Sequence, residues 1–581
     1  MKILALTILV ILISACSTPK VDVKPDWKAV SNQLALEYAK DMAVRYPESA
    51  SGLGLTEYDS QVVKLESDME TKDRAFIERW WIKLTNLRSE TKDLELSIDF
   101  TVLLAKLELQ LQGMRISEEI KEIPYGFASK NIYMSLMGLI NDQSPAERKS
   151  AAVDRFHNYI HGVQGYLPYI TATINRSRYF LEKFDGIGFY PLKTEVEEYL
   201  SQTALYQKGV KDLLEKSGRS DWKKDYQNFL VQVKDADDFI RKSILPKART
   251  DFHLPPGLYA YSLRARGISA TPEELITMAR KDYQETYKLF KNVAYKVSRK
   301  HKLKKFQPVF VIDYLKQSQV TRSEEVGKLY QNADQELARI ISENSLVSLP
   351  PTPLKIRLAG DAESKSAPVP HLLPPPLINN QGQRPEFVVP TSSEGKMPFN
   401  DFSYPAAAII LTAHEGRPGH DMQFSSMLDN GISTIRARYA MNSVNVEGWG
   451  LYAEELVYPY LSVESQLVGI QSRLWRMARA FLEPELHLGK IKEAEVIRVF
   501  TKDIGISEAM AKLEVRRYTY DDPGQAPSYY FGFRKMRVMK ASALKRLGNK
   551  FSEKCFNDGV LALGLLPINI VAGRMEQLSC P

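Results

Sequence analysis

His414, Glu415 and His420 place two histidines and a glutamate within seven positions, directly after the apolar run 405–411. Imidazole nitrogens and carboxylate oxygens are zinc ligands, and a glutamate beside a bound zinc takes the proton of the water that the ion acidifies. The chemistry these residue types offer is hydrolysis at neutral pH. In the H-E-x-x-H pattern the histidines stand four apart, one helical turn, so both rings reach one ion. Here the position four beyond His414 is Pro418, and the second histidine comes two residues later. On an unbroken helix that spacing turns His420 about 120° from His414 and carries it about 9 Å along the axis. The two meet only if the helix is interrupted. Pro418 lacks a backbone donor and clashes with the carbonyl four residues back, while Gly419 tolerates dihedrals that other residues avoid. Pro418-Gly419 is therefore the expected bulge or kink.

His414, Glu415, Pro418, Gly419, His420 and Gln423 follow the pattern H-E-x-x-P-G-H-H-x-Q. At these residues the chain resembles DUF885, a bacterial family of unknown function grouped with the H-E-x-x-H metallopeptidases. Asp421 stands where many members carry a second histidine, which points to His420 as the ligand. The resemblance continues through Glu447-Gly-Trp-Gly-Leu-Tyr-Ala-Glu454, Leu513-Glu-Val-Arg-Arg-Tyr518 and Pro523-Gly-Gln-Ala-Pro-Ser-Tyr529 with Gly532 behind it. Gly52-Leu-Gly-Leu-Thr-Glu-Tyr-Asp59 is a weaker match, so the family domain is expected to cover nearly the whole mature chain.

The resemblance implies a zinc metallopeptidase of the glutamate-ligand, gluzincin-like class, with one zinc per chain. His414, His420 and Glu447 would hold the metal, leaving one open position, and Glu415 would be the general base. Glu447 and Glu454 are seven apart and share a helical face. Glu454 then orients a ligand histidine or is an acid paired with nothing. Tyr529 would stabilise the oxyanion of a tetrahedral intermediate. Gln525 and Arg517 would contact substrate, although Arg517 also fits a structural pair with Glu514. His487 matches a family position and equally fits a satisfied core histidine.

The elements that must position these groups are mainly α-helical. Amphipathic periodicity marks helices over 97–111, 151–166, 194–215 and 221–244. Thr271-Pro-Glu-Glu274 reads as a capping box with proline at the first helical position. Prolines at 350, 351, 353, 368, 370, 374, 375 and 376 preclude regular helix there, and residues 354–358 and 386–389 read as short strands. The expectation is a large helical metallopeptidase-like fold, with a helical region 27–345 and a region 346–581 in which a small sheet precedes the active-site helix. By analogy with zinc peptidases, an edge of that sheet would hold an extended peptide.

The N-terminus carries Lys2, an apolar stretch to Ile13 and then Ser14-Ala15-Cys16. This resembles a lipoprotein signal over 1–15, with Cys16 as the lipidated residue and 16–26 as a tether. The alternatives are an ordinary signal peptide or a membrane helix, for which the apolar run is short. Ser17, in place of the aspartate associated with inner-membrane retention, favours the outer membrane facing the periplasm. In that compartment Cys555 and Cys580 either pair or remain two thiols. The net charge of +8 is spread among acidic residues along the helices, which argues against a nucleic-acid partner and leaves room for a membrane surface.

His157 and His161 form a rival pair at true ligand spacing, but without an adjacent glutamate or a nearby acidic cluster in the sequence, which argues against a metal site there. No Gly-x-Ser-x-Gly elbow, phosphate loop or dinucleotide fingerprint is evident. The reading is a zinc peptidase cleaving oligopeptides in the cell envelope. The alternatives are an inactive binding or scaffolding lipoprotein and a hydrolase of a non-peptide, cell-wall type amide.

Overall fold

A computed structural model of the chain describes residues 26–66, 68–391 and 397–580. The expected signal segment, Cys16 and nearly all of the tether lie outside the described residues. The described chain is mainly helical, with one three-stranded sheet set between its helices. Among the described residues no helix is long and apolar enough to cross a membrane.

Local signals account for several of the helix ends. Thr271 and Glu274 form the expected capping box at the start of Pro272–Lys300. That helix buries Leu275, Ala279, Phe290, Val293, Ala294 and Val297 along one face and packs against the long helix Val463–His487. The helix expected over 151–166 instead spans Ala146–His161, because Gly162 takes a φ of 76° and ends it. The one expected over 221–244 is α-helical over Lys223–Phe239 and finishes in a π-turn, Ile240–Ile244.

The sheet has the order β1-β3-β2, with β1 (Lys355–Ala359) parallel to β3 (Glu386–Pro390) and β2 (His371–Leu373) antiparallel to it. Two features correct the sequence expectation. A short helix, Asp361–Ser366, occupies the proline-free gap between Pro353 and Pro368. Strand β2 lies between Pro370 and Pro374, because those prolines bracket the strand and remove no donor within it. Central β3 is buried along its length, with Phe387 against Tyr330 at 5.3 Å between ring centroids.

Phe387 and Val389 join a large core shared by helices from both ends of the chain. Helices between residues 128 and 244 gather around cores of their own.

Cys555 and Cys580 are disulfide-bonded, with Cα atoms 5.9 Å apart, tying the helix Glu553–Leu561 to the C-terminal residues. A bridge with a sequence separation of 25 removes roughly 3 kcal/mol of chain entropy from the unfolded state. Cys555→Ser with Cys580→Ser is expected to lower the stability by that order in denaturant titration. An unchanged midpoint would show that the unfolded chain is not restrained by the bridge.

Candidate metal centre

The helix Pro405–Glu415 is apolar nearly all round and buried from Ala406 to His414, which makes it a core helix that delivers its last two residues to a fixed place. It does not bend at Pro418. It ends at Glu415, and a separate helix starts at His420 and runs to Asn430. The break is therefore more complete than a kink. The Arg417–Pro418 peptide is cis. The indole N–H of Trp449 donates to the carbonyls of Pro418 and Gly419, at 3.0 and 3.1 Å, and pins the connecting loop. A Cβ at Gly419 would lie 1.8 Å from the His414 carbonyl oxygen, so only glycine permits this reversal.

The reversal brings the His414 and His420 rings to 4.8 Å between centroids, nearly perpendicular. Their Nε2 atoms lie 3.4 and 3.5 Å from the same oxygen of Glu447, Oε2. Each Nδ1 is occupied on the far side of its ring. His414 Nδ1 is 2.8 Å from Glu454 Oε1, and His420 Nδ1 is 2.9 Å from Gln423 Oε1. With one ring proton directed outward to these acceptors, loss of the proton at Nε2 would turn both Nε2 lone pairs toward Glu447. Separations of 3.4 to 3.5 Å match the edge of a tetrahedron whose centre is about 2.1 Å from each donor, the size of a zinc site. The donor set fits a zinc ion with one position free.

The outer contacts are themselves held. Glu454 accepts from the Ser472 hydroxyl at 2.7 Å, Gln423 donates to Asn445 at 3.3 Å, and Asn445 donates to the Leu566 carbonyl at 2.6 Å. Burial disfavours imidazolium at His414, but hydrogen bonds to Glu447 and Glu454 and the nearby charge of Glu415 outweigh it and raise its pKa to about 9. At His420 too burial is outweighed, by the hydrogen bond to Glu447 and the charge of Glu415, and the pKa is raised. Glu447 is lowered despite its burial, by both histidines. The centre is thus built to retain positive charge, and a divalent cation satisfies the same carboxylates in place of imidazole protons.

Glu447 sits on the helix Ser443–Val457, and the motif around it has a steric basis. A Cβ at Gly450 would come within 2.6 Å of the His414 ring, and one at Gly448 within 2.6 Å of the backbone of Gly532. Gly450 thus leaves space for the ligand imidazole. Gly448 and Gly532 let this helix touch Pro527–Leu547, which carries Tyr529. The Tyr529 ring stacks 6.0 Å from His414. Burial, reinforced by the charge of Glu447, raises the phenol's pKa and keeps it a donor.

Gln525 donates to Glu447 Oε1 at 3.4 Å and to the Ser443 hydroxyl at 3.1 Å. Arg517 donates to Gln525 and, at 3.4 Å, to the Tyr529 oxygen. Gln525 and Arg517 therefore tie Glu447 to Tyr529. Glu514 is bound instead by both arms of Arg479, at 2.6 and 2.7 Å. Glu415 accepts from the Leu372 backbone N–H at 3.0 Å, so edge strand β2 lies against the candidate base.

His487 lies apart from this group. It stacks on Tyr259 at 4.3 Å and bonds the Tyr518 carbonyl at 2.9 Å, and burial lowers its pKa to about 4. Asp421 pairs with Arg417 at 2.8 Å and Ser425 at 3.3 Å. Sequence reasoning assigned no role to Trp449, Gly450, Ser472, Arg476 or Arg479. Arg476 and Arg479 are buried, with their guanidinium carbons 5.9 and 4.8 Å from the Tyr529 ring centroid. Their signal was charge placed inside the otherwise apolar run 474–482.

Fold and site together define a mainly helical protein with a buried His-His-Glu centre beside a small sheet. The chain belongs to the family of bacterial proteins of unknown function DUF885, which it matches over residues 47–575. Two solved structures share the fold. One, a "putative lipoprotein of unknown function" from Shewanella oneidensis, is 20% identical with a TM-score of 0.68, covering 94% of this chain and 99% of that one. The other, described as a "putative lipoprotein" from Colwellia psychrerythraea, is 17% identical with a TM-score of 0.67, covering 95% and 99%. A comparison with curated proteins finds no match.

Proposed function

We propose that the protein is a zinc-dependent peptidase acting on oligopeptides in the cell envelope. The observation that carries this reading is the convergence of two imidazole Nε2 atoms on one carboxylate oxygen at 3.4 and 3.5 Å, with both Nδ1 atoms engaged elsewhere. A zinc ion held there supplies Lewis acidity for a water and a peptide carbonyl. Glu415, at the helix end beside the ligands, takes a proton from the attacking water and returns it to the leaving amine. Tyr529, kept protonated, donates to the developing oxyanion. Strand β2 offers an edge beside Glu415 along which an extended peptide would align.

The test is digestion of a broad peptide library by zinc-loaded protein. Cleavage at internal or terminal peptide bonds supports the reading. Failure to cleave any peptide would turn it to a binding lipoprotein or, if a wall-derived amide is cut instead, to an amidase with the same centre. Tyr529→Phe is expected to lower kcat roughly 10²-fold by removing one oxyanion donor while the metal is retained. Wild-type kcat in that variant would remove Tyr529 from the chemistry.

We also assign Cys16 as a lipid anchor, on its position behind a short apolar segment and on the lipoprotein descriptions carried by the two structural neighbours. Cys16→Ser is expected to move the protein from the membrane to the soluble envelope fraction, since a lipid supplies membrane affinity and no core contact. Continued membrane association after washing would reject the anchor.

A further inference from the structure

A second group of ligand-type side chains lies outside the centre. His157 and His161 occupy the last turn of the helix Ala146–His161, and Asp225 the first turn of Lys223–Phe239. His157 Nδ1 is 2.9 Å from Asp225 Oδ2, and His161 Nε2 is 2.6 Å from Asp225 Oδ1. The two rings are 4.4 Å apart and tilted by 35°. Taking one donor atom from each residue, the three atoms lie within 4.8 Å of one another.

The frame behind them is rigid. Phe156 and Phe229 are fully buried and meet at 5.6 Å, locking the two helices together, and Gln232 donates to the Ile160 carbonyl at 2.8 Å. Asp225 is buried, whereas the imidazoles keep 57% and 41% of their side-chain surface exposed. The rings are therefore free to turn while the carboxylate stays fixed. The helix C-terminus adds the partial negative charge of its free carbonyls beside the two histidines.

We propose that His157, His161 and Asp225 bind a second divalent transition-metal ion at the protein surface, clamping the two helices that carry them. Two imidazoles and one carboxylate suit zinc, nickel or copper and not the all-oxygen shells of calcium or magnesium. Each imidazole nitrogen sits against a different oxygen of the carboxylate, at 2.9 and 2.6 Å, and one donor from each residue lies within 4.8 Å of the others. The three need only settle about 3.4 Å apart to surround such an ion at about 2.1 Å. Small rotations of the two exposed rings achieve this. The solvent side leaves a fourth position for water, and because the donors come from two helices the ion would join them.

Untagged protein, stripped with a chelator and dialysed to equilibrium against zinc, is the test, with bound zinc measured per chain. Wild type is expected to hold two ions, His161→Ala one and His420→Ala one, and the double variant none. Asp225→Asn should lose the same ion as His161→Ala with unchanged far-ultraviolet circular dichroism. In the His420→Ala background zinc should raise Tm, and adding His161→Ala should abolish the rise. Equal zinc content in wild type, His161→Ala and Asp225→Asn would overturn the proposal. If His420→Ala binds as much zinc as wild type while His161→Ala loses one ion, the surface site stands and the peptidase centre fails.

Discussion

Glu415→Gln is expected to retain the zinc of the centre and the fold while lowering peptide hydrolysis by a factor on the order of 10² to 10⁴. The substitution is nearly isosteric, and the side-chain oxygen of glutamine still accepts from the Leu372 N–H that lies 3.0 Å from the carboxylate. The contact with β2 survives and only the proton acceptor is lost. Glu415 is not among the three convergent donors, so metal content should not change. Steady-state kinetics with metal analysis on the same sample separates these effects. A variant as fast as wild type would end the peptidase mechanism, and one that also lost its zinc would make Glu415 a ligand.

The second large effect is on the metal. In a His161→Ala background, which removes the surface pair, His420→Ala should weaken zinc binding by well over 100-fold. It deletes one of three donors and removes the ring that Gln423 Oε1 holds. Gln423→Ala keeps the donor but releases the ring, and should cost about 10- to 100-fold, the range seen when the partner of a ligand histidine is removed. That order distinguishes a ligand from the residue that aims it. Equal affinities for both variants and the wild type would mean that the ion, if bound, sits elsewhere.

Much of the helical frame was legible because its signals are local. The Thr271 capping box, the apolar face of Pro272–Lys300 and the strand at Glu386 each depend on residues within a turn or two. Strand β2 was not legible, since three residues between prolines carry no periodicity and gain strand geometry only by pairing with β3. The fate of Cys555 and Cys580 was likewise open until the fold brought their Cα atoms to 5.9 Å.

At the centre, sequence alone determined that His414 and His420 could not share an unbroken helix, because the rise and turn per residue forbid it, and that Pro418-Gly419 was the place to break it. It supplied the residue types through the family pattern. Only the tertiary structure decided which atoms meet. Glu447 and Glu454 are equivalent on one helical face, yet the packing allowed by Gly448, Gly450 and Gly532 turns Glu447 to the two Nε2 atoms and Glu454 to the far side of the His414 ring. Which nitrogen a ring presents, and to which carboxylate, depends on contacts between helices tens of residues apart, and spacing along the chain carries no record of those distances.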